Sequence, residues 1–347
     1  MSDTTIAIRS EETKPDYAEQ SGAVNLASPR LGASLLEVSD EFFGSRTRML
    51  EDAPPVFYPD RYDDHGKWMD GWETRRRRDG GNDYCILQLG AKGVIAGFDL
   101  NTRFFTGNHP PRAKIEATLT DDIPTNTTEW FELVPESDIA PDSQNQFPVT
   151  DKRPFNYIRL NIFPDGGIAR FRVWGNPMPD WTPQNSKSHH ELSGTINGGR
   201  VVGYSDAHYG DPWIILTPGR GRNMGDGWET RRRRGPGNDW IVVALGETGL
   251  AAEIEVDTAH FKGNYPDRCS VQAAHLPQYL PDAKILSASE RWNTLMPEQK
   301  LQMDNIHTFK SDKISSDFGP INYIRLNIFP DGGISRLRIF GPLTKPS

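Results

Sequence analysis

Residues 156–175, NYIRLNIFPDGGIARFRVWG, return as residues 322–341, NYIRLNIFPDGGISRLRIFG, with sixteen of the twenty positions identical. So close a match at long range marks a duplicated unit: the chain is one domain written twice. A second pair, DGWETRRRR at 70–78 and 226–234, carries the copying well beyond one hairpin. Ser39-Asp40 and Ser205-Asp206 stand 166 apart, the DGWETRRRR motifs 156 and the NYIRLNIFPDGG motifs 166. The first copy therefore has ten extra residues in the Pro-, Asp- and Tyr-rich stretch 51–67, and the second regains ten between 268 and 321. Such insertions belong in surface loops, because loop closure entropy grows slowly with length whereas a residue added inside a strand reverses its faces. The matched segments are then the scaffold and the site.

Within the repeated hairpin, Ile158, Leu160 and Ile162 alternate with Tyr157, Arg159 and Asn161, the pattern of a half-buried strand. Pro164-Asp165-Gly166-Gly167 supplies the turn, and Ala169, Phe171 and Val173 face inward on the return, leaving Arg170 and Arg172 on the other face. Further strands are expected at 83–89 and 94–100, with twins at 239–245 and 250–256. Gly 32, Pro 27 and no long apolar segment of helical spacing point to short strands joined by turns, an all-β chain of two β-sandwiches. The division reads as a polar, disordered or loosely docked tail (1–28), a first repeat (29–175), a Pro-rich linker (176–190), a second repeat (191–341) and a C-terminal tail (342–347).

A net charge of −8 argues against a general nucleic-acid binder, which needs a Lys/Arg excess over one face. No stretch approaches the roughly 20 apolar residues of a membrane span, and the N-terminus is polar rather than a signal sequence, so a cytoplasmic location without membrane contact is expected. Two cysteines, Cys85 and Cys269, make neither a disulfide framework nor a metal cluster.

DGWETRRRR, an FxGN segment (105–108 and 261–264) and the closing YIRLNIFPDGGIxRxRxxG hairpin recur in the same order in both halves. This tandem arrangement resembles the allantoicases. The resemblance implies a galactose-binding-like jelly roll in each repeat, an allantoate amidinohydrolase releasing ureidoglycolate and urea, a role in using purine nitrogen, and a homo-oligomer. The competing reading is a non-catalytic tandem module for carbohydrates or other polar ligands, since fold alone does not fix function.

Allantoate carries a carboxylate and two ureido groups on one carbon. Its carboxylate suits an Arg fork, its ureido groups suit Asp, Glu and Asn, and hydrolysis needs a group that moves protons near neutrality. In each run of four arginines the first, Arg75 and Arg231, is the expected substrate contact, with Glu73, Asp226, Asn108, Asn264 and His109 beside it and Trp228 as a pocket wall. The bland roles are charge neutralisation for the carboxylates and core packing for the Trp. Aligning the repeats sets His260 opposite Phe104, Asp257 opposite Asn101 and His208 opposite Phe42, so the second copy gains two histidines and an aspartate. With Glu229 these are the expected catalytic set. No cofactor is firmly predicted; two His and a carboxylate would also suit a divalent metal, but no HxH or HExxH spacing assigns a ligand.

Overall fold

The computed structural model describes residues 7–181, 189–277 and 280–344. The chain divides into two compact units, Met1–Met178 and Pro179–Ser347. In the second, one sheet runs Arg200–Tyr204, Asp239–Gly249, Ile321–Phe329, Arg268–Ala274, Asn293–Lys300, and the other runs His190–Glu191, Arg336–Gly341, Glu253–Asp257, Ile306–Phe309. Every pairing is antiparallel. The first unit repeats this order with Ser34–Val38, Asp83–Asn101, Pro154–Phe163, Arg112–Thr118 and Phe131–Asp138 in one layer, and Val24–Asn25, Arg170–Pro177, Asp83–Asn101 and Gln144–Pro148 in the other. Here Asp83–Asn101 is continuous and serves both layers, where two strands had been expected. Its early residues pair with Pro154–Phe163 and its late ones with Arg170–Pro177. Each unit is thus a jelly-roll sandwich, and the duplication holds in three dimensions.

The alternation in the hairpin reads correctly on the apolar side. Ile158, Leu160, Ile162, Phe171 and Val173 are fully buried and pack with Leu87, Phe98 and Leu100 between the layers. Fully burying each such side chain stabilises by about 1.5–3 kcal/mol. The polar side differs from expectation: Arg170 and Arg172 are 1% and 4% exposed. Loop carbonyls of Glu51, Asp52 and Ala53, with the Glu12 and Asp70 carboxylates, cover that face and take up their donors. Arg336 and Arg338 are buried likewise, on Asp226, Gly219, Thr217 and Glu191.

The expected N-terminal tail is docked over its described part. Ile8–Arg9 pairs with Val56–Phe57, the helix Asp16–Ser21 buries Ala18, Tyr17 donates to the Phe98 carbonyl at 2.8 Å, and Val24–Asn25 adds a strand to the sheet. Residues 182–188 of the expected linker lie outside the described residues, whereas 176 and 177 continue a strand. In the expected C-terminal tail, Leu343 bridges Gly249 and the Thr344 amide donates to the Thr248 carbonyl at 3.0 Å. The ten residues regained by the second copy accommodate a helix, Asp282–Ser289, that buries Ile285 on the outer face of the sheet with Val242, Trp292 and Tyr323. Both thiols are fully buried, and burial pushes each up to about 12. Among the described residues no helix is long and apolar enough to cross a membrane.

Candidate active site

The DGWET segment enters each sandwich at one edge. Trp72–Glu73 pairs with Gly167–Ile168, Trp72 is fully buried, and its indole N–H donates to the Asp40 carbonyl at 2.7 Å. Period-two alternation then turns Glu73 the opposite way from the buried Trp72. Its backbone is clamped by the 40–44 loop: Phe43 and Gly44 amides donate to the Glu73 carbonyl, and the Glu73 amide to the Gly44 carbonyl. From the FTGN loop, Asn108 Nδ2 donates to Glu73 Oε1 at 2.7 Å. That loop approaches closely only because 166 and 167 are glycines. A Cβ at Gly167 would sit 2.0 Å from the Phe105 ring, and Gly166 adopts φ 149° with Pro110 N 2.5 Å from where its Cβ would lie. Burial pushes the Glu73 carboxyl above its ordinary range; the Asn108 amide opposes the rise and the charge of Asp63 adds to it. His109, next along, is half-buried with its Nδ1 unpartnered.

The second unit repeats the arrangement. Trp228 is buried and donates to the Asp206 carbonyl at 2.8 Å, Trp228–Glu229 pairs with Gly333–Ile334, His208 and Tyr209 amides donate to the Glu229 carbonyl, and Asn264 Nδ2 donates to Glu229 Oε1. Glu73 with Asn108 and Glu229 with Asn264 are thus joined at the same edge of each sandwich. Trp72 and Trp228 are core residues whose polar tips fix the loop.

The arginine runs separate into two kinds. Arg75 is locked: its amide, Nε and Nη2 all donate to the Asp40 carboxylate, at 2.7, 2.9 and 2.7 Å. Burial alone would raise the Asp40 carboxyl, but these bonds outweigh it and hold it below the usual range. Arg77 is paired with Asp79 and Asp83. Arg76 and Arg78 are exposed and make no hydrogen bond or ion pair among the described residues; the same is true of Arg232 and Arg234. Within the run, the first arginine is thus bonded to Asp40 and the third to Asp79 and Asp83, while the second and fourth carry no bond among the described residues. Arg231 is held more loosely than Arg75, with its amide on Asp206 at 2.7 Å and its Nε 3.4 Å from His208 Nδ1.

Among the described residues no hydrogen bond or ion pair joins His260, Asp257 and His208. Asp257 is 1% exposed, accepts from the Ala259 amide at 2.7 Å and lies 3.5 Å from Arg220 Nε. Its twin Asn101 makes the same turn with the Arg103 amide at 2.8 Å. His260 stands at φ 70°, as Phe104 does, with its amide on Asp304 and its Nε2 2.7 Å from the Gly221 carbonyl. Phe104 docks the corresponding loop by stacking on Phe57 at 5.6 Å. Both positions thus hold a loop down, by a hydrogen bond in one unit and a ring stack in the other. Asp226 is 3% exposed and bound by Arg336 and the Arg222 amide, so its carboxylate anchors the loop. Among the described residues no group of three or more His, Cys, Asp or Glu side chains forms a metal-ligand cluster, and the two-His, one-Asp set does not fit a metal.

The family described as "Allantoicase repeat" matches residues 24–178 and 190–344. A "Probable allantoicase 1" of Burkholderia mallei is 49% identical over 97% of this chain and 98% of its own length; a "Probable allantoicase" of Rhizobium meliloti is 50% identical over 97% and 98%. The crystal structure of allantoicase from Saccharomyces cerevisiae superposes with a TM-score of 0.76 at 33% identity, covering 92% of this chain and 93% of that one. With both repeats matched by the family and full-length relatives at about half identity, this chain belongs to the allantoicase family.

Proposed function

We propose that this chain hydrolyses allantoate to ureidoglycolate and urea, a C–N bond hydrolase of purine nitrogen use. The observation that carries the site is the carboxylate–amide pair, Glu73 with Asn108 and Glu229 with Asn264, repeated at the same edge of both sandwiches. Asn108 occupies Oε1 of Glu73 and leaves Oε2 open. A carboxylate so oriented, with its pKa raised toward neutrality, suits a base that takes a proton from water or from a ureido N–H. The unpaired guanidinium of Arg76, or of Arg232 in the second unit, suits the substrate carboxylate. One water supplies the hydroxyl that replaces the departing ureido group, and the nitrogen of that group leaves protonated as urea.

The reading extends to a cytosolic location, consistent with two buried, unpaired thiols, and to a homo-oligomer, consistent with the exposed apolar side chains Leu119 and Ile123. The deciding experiment is a urea-release assay on allantoate and on allantoin, with and without a chelator. Urea is expected from allantoate, whose open chain offers the carboxylate, and none from allantoin. Tight binding of allantoate with no urea under either condition would leave a binding module instead.

A further inference from the structure

The ten extra residues of the first repeat do more than lengthen a loop. They contain a hairpin, Tyr62–Asp63 paired with Gly66–Lys67. Its base is fastened by several contacts. Lys67 Nζ donates to the Tyr58 carbonyl at 3.0 Å and lies over the Phe57 and Tyr62 rings, the Trp68 amide donates to the Arg61 carbonyl at 3.1 Å, and the Arg61 guanidinium stacks on Trp68 at 3.9 Å. At its tip, the His65 amide donates to Asp63 Oδ1 at 3.0 Å, leaving Asp63 Oδ2 and both imidazole nitrogens without a partner among the described residues.

This tip meets the edge that holds Glu73. The His65 ring packs on Phe42 with centroids 4.3 Å apart, and the Arg75 guanidinium lies on the same Phe42 ring at 5.3 Å. Phe42 adjoins Phe43, whose amide donates to the Glu73 carbonyl at 3.2 Å. Asp63 is near enough for its charge to act on Glu73. The second repeat has no counterpart: His208 stands in the place of Phe42, and the ten residues are absent.

We propose that the 62–67 hairpin completes the substrate site of the first repeat, with Asp63 and His65 gripping the ureido arm that stays on the product. The inference rests on the hydrolase reading above. A ureido group presents N–H donors and one carbonyl acceptor; the open Asp63 Oδ2 matches the first and a ring N–H of His65 the second, while the departing arm and the attacking water are left to Glu73. Substrate with two arms is thereby preferred over substrate with one, because a missing arm leaves polar groups unpaired.

The full-length protein tests this with Asp63→Asn, His65→Ala and the double variant, all at solvent-facing positions. Each single variant is expected to raise KM for allantoate about tenfold, the scale of one lost hydrogen bond to a charged or ring group, with a smaller fall in kcat. Asp63→Asn also moves the acid limb of kcat/KM to lower pH, because the charge opposing Glu73 ionisation is gone. The other titratable groups on segments against Glu73 are Asp40 with its partner Arg75, Glu41, which accepts from the Arg46 amide, His109, and Asp165, which is bound to the Arg77 amide; none is altered by that variant. Wild-type KM and an unshifted limb in both single variants overturn the proposal while leaving the hydrolase intact. If the wild-type chain binds allantoate without releasing urea, the hydrolase reading fails instead. The calorimetric Kd values then decide the hairpin: a tenfold weakening supports it and an unchanged Kd overturns it.

Discussion

Asn108 Nδ2 donates to Glu73 Oε1 at 2.7 Å, and Asn264 makes the same bond to Glu229, so a half-buried carboxylate oriented by an amide is the element both repeats keep. A structural carboxylate at a sheet edge would more simply be neutralised by one of the arginines of the adjoining run. Instead Arg75 is taken by Asp40, and Glu73 is left desolvated without a cationic partner. On the proposed function, stability is forgone at this position in exchange for a poised base.

Glu73→Gln should therefore lower kcat by at least about 100-fold, the low end for a general base, while preserving the Asn108 contact. Its effect on stability has the opposite sign. The folded pKa of Glu73 is raised, so ionisation of the folded protein is penalised, and the contribution that favours folding at low pH is lost as pH rises through that value. The neutral Gln removes this loss, so at pH 8 the variant should melt no lower than wild type. Wild-type activity below the Glu73 pKa should fall with falling pH. A variant with near-normal kcat, or one that unfolds more readily at pH 8, contradicts the assignment.

Arg170 and Asp70 form the buried bolt under the site: Nη2 to Oδ2 at 2.7 Å and Nη1 to the Asp70 carbonyl at 3.0 Å, with side chains 1% and 7% exposed. Asp70→Ala leaves a buried guanidinium uncompensated and should destabilise by about 3–5 kcal/mol in denaturant titration. If the loss is under about 1 kcal/mol, the pair does not hold the DGWET loop.

Much of this was legible in the sequence, and the failures have definite causes. Ile158, Leu160 and Ile162 declared their strand because one face is buried by the opposite layer. Arg170 was placed on an outer face, which alternation does assign, but alternation cannot see that residues 12, 51–53 and 70 return from afar to bury that face. Asp257 and His260 stand out in an alignment because it compares side chains, not φ. Position 257 makes the same local turn as Asn101, and 260 the same left-handed residue as Phe104. The 51–67 stretch tolerates insertion for a sound entropic reason, which says nothing about what the loop overhangs.

His260→Phe, copying the residue at the matched position, tests whether that ring serves the loop or the chemistry. It removes the bond to the Gly221 carbonyl and keeps a side chain type that tolerates φ 70° in the first unit. A loss of about 1 kcal/mol in stability is expected from the missing hydrogen bond, with kcat within roughly threefold of wild type. A 100-fold fall in kcat at unchanged stability would restore His260 to the chemistry.

Asp99 gives the first unit a pH-dependent seam between sheet and N-terminal segment. It is 1% exposed, and burial raises its pKa from 3.8 to about 7. The Gln144 amide, 2.6 Å from Oδ2, opposes the rise; the Glu12 charge adds to it and Arg172 opposes it, while Oδ1 has no partner. In the unfolded chain the group ionises near 3.8, so between about pH 4 and pH 7 the folded state holds a proton that the unfolded state has released. Stability then falls as pH rises through this window, by up to about 1.4 kcal/mol per unit. Asp99→Asn should keep the Gln144 neighbour, remove that slope and gain on wild type steadily from pH 5 to pH 7.5 in parallel denaturation curves. A constant difference across the range would mean that Asp99 is already ionised in the folded protein, stabilised by Arg172 against the cost of burial.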